Sequence, residues 1–209
     1  TFLLDETKQK AILKLSKMEI KMGYPDKVDP KYDKFVFDGA KSLYAAVCEL
    51  HRINKLHAIS KFTEDVDRTK WAMPGHMVNA CYSPTNNDIT FPAAILQAPF
   101  YSIKQSRSQN LGGIGAVIGH EISHAFDNNG ANCDENGNLN TWWGKEDMAA
   151  FKKKTKEMIK EFEGIQLPWG PVNSELIVSE NIADNGGMAV TLDIMSHMKE
   201  RNYEEYFIN

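Results

Sequence analysis

The sequence predicts a mostly helical α+β domain with one small sheet, and three observations carry that expectation. Five stretches place apolar residues at the spacing of an amphipathic helix. Between them, residues 66–100 lose this period and are interrupted by Pro74, Pro84, Pro92 and Pro99. The length, 209 residues, gives one domain a real core and is marginal for two. We therefore expect a single unit over 1–209, with a helical scaffold at 1–65, the sheet at 66–110 and a second helical group at 111–209.

The first helix is expected over residues 6–22, where Ala11, Leu15, Met18 and Met22 fall at helical spacing. Asp5 would cap it, and Gly23 and Pro25 would close it. A second is expected from Gly39 to about Ile59, with Leu43, Val47 and Leu50 inward. Residues 78–82 and 88–91 read as short strands joined by the turn-rich Ser83-Pro84-Thr85-Asn86-Asn87. The third helix, from Leu111 to about Asp127, contains Gly112, Gly113, Gly115 and Gly119. Each interior glycine costs up to ~1 kcal/mol relative to alanine, so this many imply close packing against backbone or ligand. A polar loop at 128–140 follows. The fourth helix, about 145–163, turns Phe151, Met158, Ile159 and Phe162 inward, and its Lys152-Lys153-Lys154 run reads as a solvated face. The fifth runs from about 179 to 200.

Composition excludes some classes of function. The formal net charge of -4 is mixed along the chain and argues against a nucleic-acid partner, which would usually select a basic face. No apolar run approaches the roughly 20 residues of a membrane span, so no membrane contact is expected from this segment. Cys48, Cys81 and Cys133 cannot all pair and lack the close spacing of a thiolate zinc site. They are expected to be buried or half-buried free thiols. With no Asn-x-Ser/Thr sequon present, they favour a reducing compartment.

The residues that carry chemistry lie in the third and fifth helices. His120-Glu121-Ile122-Ser123-His124 is an H-E-x-x-H pattern inside a predicted helix. At 3.6 residues per turn, positions four apart share a face, so both imidazoles can reach one Zn²⁺ at about 2.0–2.1 Å. Glu121 sits too close in sequence to join that coordination comfortably. It can instead reach a water at the metal and take its proton. Val117, Ile118, Ala125 and Phe126 surround the motif, so the helix should be mostly buried, and buried His and Glu need partners or a metal. A catalytic zinc keeps three protein ligands and one open position. Glu180 is the best candidate for the third, because Glu180 and Asp184 are four apart and share a face as the histidines do. One carboxylate could bind metal while the other accepts the free N–H of a ligating imidazole. Asp127, one turn beyond His124, could be a second such partner. Asn132-x-Asp134-x-Asn136-Gly137 imitates an EF-hand opening, but position twelve would be Trp143, so it reads as a turn. His51, His57, His76 and His197 lack ligand-like spacing.

Taken together, these motifs resemble the neprilysin-like metallopeptidases, a family that includes endothelin-converting enzymes and bacterial oligopeptidases O. The resemblance runs through Val66-Asp67-Arg68, Val78-Asn79-Ala80, Ile89-Thr90-Phe91-Pro92-Ala93 and Ile95-Leu96-Gln97. It continues through Gly112-Gly113-Ile114-Gly115, the histidine motif, Asn140-Thr141-Trp142-Trp143 and Glu180-Asn181-Ile182-Ala183-Asp184-Asn185-Gly186-Gly187, with Gly23-Tyr24-Pro25-Asp26 a weaker match. It implies a thermolysin-like (gluzincin) catalytic lobe holding one Zn²⁺ per chain, with Glu180 as third ligand and Asp184 behind His120. It implies that Asn79 and Ala80 form an edge strand that binds extended oligopeptide substrates by strand addition. It also implies that Ile95, Phe100, Ala116 and Val117 line an apolar pocket for the residue after the scissile bond, giving cleavage before bulky hydrophobic residues. Ala116 is smaller than the Met of some relatives, and Cys81 stands where an aromatic is common.

The chain departs from that family in what it lacks. Members carry, beyond the last helix, a His that stabilises the oxyanion and an Arg that grips substrate, and this sequence stops at Tyr206-Phe207-Ile208-Asn209. It also lacks their N-terminal helical lobe and opens at Thr1, so it reads as a fragment. Losing an oxyanion donor costs about 10²–10³ in kcat. The expected parent is a zinc endopeptidase, soluble, bacterial and cytoplasmic. The competing reading is a catalytically silent zinc- or peptide-binding module. A purely structural zinc is disfavoured because such sites close with four protein ligands.

Overall fold

The computed structural model describes residues 2–36 and 42–208. Helix accounts for 51% of the chain, and the sheets are small, as the fold class requires. The residues cluster into two compact units, one of residues 1–24 with 71–209 and one of residues 25–70.

In the first unit, the opening helix is shorter than its apolar spacing suggests. α1 spans Asp5–Ser16, with Leu4 rather than Asp5 at its N-cap position and no side-chain cap bond. The remainder of the expected helix is instead β1, Glu19–Gly23. The fully buried residues of α1 are Thr7 and Lys14; of the expected apolar set Ala11 and Met18 are half-buried, whereas Leu15 is 46% exposed and Met22 50%. Tertiary pairing overrides local pattern, because this segment pairs along its whole length with a neighbouring strand.

That partner, β3 (Asp88–Pro92), is buried along its whole length. β1 runs parallel to it, from Glu19 opposite Asp88 to Gly23 opposite Pro92. β2 (Cys81–Ser83) runs antiparallel on its other side, which gives the order β1-β3-β2 and leaves β2 at an edge. The β2–β3 turn ends on Asn87 at φ 53°, a left-handed conformation that Asn tolerates. The first expected strand begins three residues late, so Asn79 and Ala80 lie just ahead of β2. Ile89 and Phe91 form a core with Ala80, Ile95 and Ile114, onto which Val117, Ile118 and Ile122 pack.

The third helix begins earlier and ends earlier than the sequence indicates. Ser106 and Gln109 make a reciprocal capping box that starts α3 (Arg107–Asn110). A π-helical turn at Leu111–Gly115 leads directly into α4 (Ala116–His124). α5 (Lys145–Glu161) and α6 (Val178–Ser196) follow, joined by a hairpin of β4 (Gln166–Leu167) and β5 (Gly170–Pro171), and α7 (Tyr203–Ile208) closes the described chain. Gly119 of α4 serves the close packing expected of it. A Cβ placed on Gly119 would sit 2.8 Å from the Cα of Gly187 on α6, and one on Gly187 would sit 2.7 Å from the backbone N of His120. A second core of Ala131, Trp142, Trp143 and Phe151 gathers Ala11, Phe126 and Ile182 around it.

The second unit contains α2 (Leu43–Ser60), capped by the Ser42 hydroxyl. Its expected start at Gly39 lies outside the described residues. Leu43 is 81% exposed and Val47 is exposed too, so the expected inner face is not buried; within this helix only Ile53 is. All three cysteines are free, with Cys133 buried, Cys81 half-buried and, against expectation, Cys48 exposed on α2.

The glycine crossing generates a test. Gly119→Ala should destabilise the protein by about 1–3 kcal/mol, the usual range for overpacking, as read by urea denaturation. An unchanged midpoint would mean that α4 and α6 can separate freely.

Candidate metal centre

Helix geometry sets the first two corners of the site. His120 and His124 are one turn apart on α4, with their ring planes perpendicular and centroids 4.5 Å apart. Their Nε2 atoms face each other at 2.9 Å. The glycine crossing brings the first turn of α6 beside them, so Glu180 Oε2 lies 3.4 Å from the His120 Nε2 and 3.6 Å from the His124 Nε2. Among the described residues these three form the one cluster of metal-ligating side chains. Their donor atoms make a triangle whose circumscribed radius is about 1.9 Å, so a point about 2.0–2.1 Å from all three lies just off its plane. That is one face of a tetrahedron, with its apex left open.

Two carboxylates fix the rings from behind. His120 Nδ1 lies 2.7 Å from Asp184 Oδ1, and His124 Nδ1 lies 2.7 Å from Asp127 Oδ2. When each Nδ1 carries the proton donated to its carboxylate, both Nε2 atoms present lone pairs to the same point. Two lone pairs and a carboxylate oxygen at such distances need a shared positive charge. Burial works against protonating His124, but the hydrogen bond and charge of Asp127, with Glu180 and Glu121 adding to them, hold its pKa above the ordinary imidazole value. Asp127 stands just past the end of α4 and is itself fixed: its Oδ1 accepts from the backbone N–H groups of Asn129 (2.7 Å) and Gly130 (2.6 Å).

Glu121 is buried, at 6% exposure, and is not one of the three converging donors. Burial pushes its carboxyl above the usual range, opposed by His120 and His124 and by the Tyr82 backbone N–H that donates to it. That N–H belongs to β2, so the strand's free edge faces Glu121 and the candidate metal centre.

Two adjoining clefts meet at His120 and Glu121. One, of about 410 Å³, is lined by Asn79–Tyr82, His124, Asp127 and Glu180. The other, of about 630 Å³, brings Ile95, Phe100, Ala116 and Val117 together with Asn79, Ala80 and Asp184. The Asn79 side chain accepts from the Ala80 N–H at 2.9 Å. Sequence reasoning missed Tyr82, whose contribution is a backbone group, and it missed Met188, Tyr206 and Phe207 of the larger cleft. Met188 follows the Gly186-Gly187 pair closely, a signal that could have placed it at the crossing.

With this geometry in view, comparison with known proteins assigns the family. The family model described as peptidase family M13 matches residues 79–207, so the chain belongs to that family. A neutral endopeptidase of Lactococcus lactis subsp. cremoris is 52% identical over 206 residues, covering 99% of this chain and 33% of that protein. The crystal structure of PepO from Lactobacillus rhamnosis HN001 superposes with a TM-score of 0.91 at 47% identity, covering 98% of this chain and 32% of that one. The inhibitor complex of the zinc metalloprotease Zmp1 of Mycobacterium tuberculosis gives 0.85 at 39% identity, covering 91% and 30%. The neprilysin-like resemblance read from the motifs is thus borne out, and the chain spans about a third of the length of the curated relatives it matches.

Metal analysis tests the triangle. The parent protein should hold about one zinc per chain after dialysis, and His120→Ala, His124→Ala or Glu180→Ala should hold little. Protons compete with metal for His124, and its raised pKa moves that competition to higher pH. Affinity measured by competitive titration should therefore begin to fall above pH 6.5, the ordinary imidazole value, as the solution is acidified. A site insensitive to pH between 5 and 8 (roughly the range in which histidine titrates) would exclude His124.

Proposed function

We propose that the polypeptide carrying this chain is a zinc-dependent endopeptidase that cleaves oligopeptides on the amino side of bulky hydrophobic residues. The observation that carries this reading is the open triangle of His120, His124 and Glu180 beside a buried Glu121 that lies outside it. Held by the three, a zinc ion would polarise the scissile carbonyl and acidify the attacking water.

The chain's own residues supply the rest. Glu121 accepts the proton of the attacking water and delivers it to the departing amine nitrogen. A carboxyl pKa already raised by burial brings this base nearer to neutrality, where proton transfer in both directions is easiest. Asp184 and Asp127 keep the imidazole Nδ1 protons in place, so both Nε2 atoms stay available as ligands. The outer edge of β2, with Asn79 and Ala80 ahead of it, is the support for binding an extended peptide by strand addition, since these residues line the clefts on both sides of Glu121. The side chain following the scissile bond enters the cleft of Ile95, Phe100, Ala116 and Val117, which favours large apolar groups. Free cysteines, one of them exposed, support a reducing and hence cytoplasmic location.

Two variants of the full-length protein test this mechanism. Glu121→Gln should retain zinc while peptide hydrolysis falls by about 10²–10⁴-fold or more; a variant that still cleaves would remove Glu121 from the base role. Ala116→Met narrows the larger cleft and should shift preference from aromatic toward smaller aliphatic residues after the cleaved bond. Product mapping on a peptide library reads this out, and an unchanged profile would move the specificity pocket elsewhere.

A further inference from the structure

The proposed mechanism does not use the buried charge of Lys14. Lys14, on α1, is 1% exposed, and no carboxylate pairs with it directly among the salt bridges of the described residues. Its Nζ donates instead to three backbone carbonyls: Ala125 at 2.8 Å, Gly130 at 2.7 Å and Cys133 at 2.7 Å. The rings of Tyr82, Phe126 and Trp142 stand 5.9, 5.8 and 5.6 Å from the same nitrogen. An ammonium with three donors matched to three acceptors and walled by aromatic faces is a built site rather than a stray side chain. Burial pushes its pKa down to about 8, opposed by Cys133, Asp127, Asp134 and Glu135, so the group is still charged at neutral pH.

What these acceptors have in common is the segment that orients a ligand. Ala125 is the first residue past α4, and its carbonyl lies at the negative end of that helix. Gly130 faces both ways: its N–H donates to Asp127 Oδ1 and its carbonyl accepts from Lys14. Asp127 in turn holds His124. The segment folds so tightly onto the helix end that a Cβ on Gly130 would lie 2.8 Å from the Ala125 carbonyl carbon.

We propose that Lys14 is a positioning residue for the metal centre: its ammonium ties down the carbonyls of Ala125, Gly130 and Cys133 and thereby fixes, through Gly130 and Asp127, the orientation of the His124 imidazole. The inference rests on the reading of His120, His124 and Glu180 as metal ligands.

Cobalt(II) binding to the full-length protein tests it, with the dissociation constant measured against a competing chelator and the coordination read from the visible d–d bands. Lys14→Met should weaken cobalt binding about tenfold, as loss of an outer-shell partner does, and should shift the bands. Asp127→Asn should do at least as much, and the double variant should match Asp127→Asn alone, because both act along one path. Asp147→Ala is the control, for Asp147 holds α1 at the other end through the Leu4 N–H at 2.9 Å. It should lose thermal stability yet keep the parental constant and spectrum. If Lys14→Met does not fold, Lys14→Gln, which keeps an N–H donor without the charge, is read in the same way. Parental binding in the Lys14 variant, effects that multiply in the double variant, or an equal loss in Asp147→Ala would overturn this inference alone. A parent protein that binds no cobalt would overturn the ligand reading itself.

Discussion

Helices α4 and α6 cross with Gly119 and Gly187 face to face, close enough that a methyl group on either would overlap the other's backbone. Glu180 and Asp184 stand one to two turns ahead of Gly187 on α6, and His120 directly follows Gly119 on α4. The separation of the two helix axes therefore sets the distance between carboxylate and imidazole. Larger residues at the crossing would push the third corner of the triangle away from the other two, whatever the side chains' own preferences.

Around this crossing the charges are arranged so that each imidazole has a carboxylate behind it and the Glu180 carboxylate in front. The two sides differ in solvent contact. Asp127 is fully buried and satisfied by two backbone donors, whereas the Asp184 and Glu180 side chains are 73% and 61% exposed. Solvent screening leaves little intrinsic strength in the α6 contacts, so a bound cation would do most to organise that side, while the α4 side is preformed by the loop that Asp127 and Gly130 share.

Much of this was legible in the sequence, for physical reasons that also show where reading stops. An i, i+4 pair on a helix needs only the pitch of the helix to place it, so the pairing of His120 with His124, and of Glu180 with Asp184, could be read directly. Gly112, Gly113, Gly115 and Gly119 announced a close approach without saying to what. β1 was invisible, since Ala11, Leu15, Met18 and Met22 keep a helical period straight through it and only pairing with β3 decides the outcome. Lys14 was invisible for a related reason: a polar residue in an amphipathic pattern reads as solvated, and its burial depends on carbonyls more than a hundred residues away. Leu43 and Val47 of α2 were read as inward, yet in the unit of residues 25–70 they stay exposed.

The family match begins at residue 79, but the physical domain does not. A polypeptide trimmed to that boundary would contain the histidine motif, the acidic pair and nearly all of the lining of both clefts, and would still lack α1 and β1. One side of β3 would then present five residues of unpaired backbone beside Ile89 and Phe91, the kind of edge that recruits strands from neighbouring molecules. The carbonyls of Ala125, Gly130 and Cys133 would be left without their cation. The smallest piece of this fold that keeps β3 paired on both sides is therefore larger than the stretch by which the family is recognised, and the strand that completes the sheet comes from the end of the chain farthest in sequence from the acidic pair.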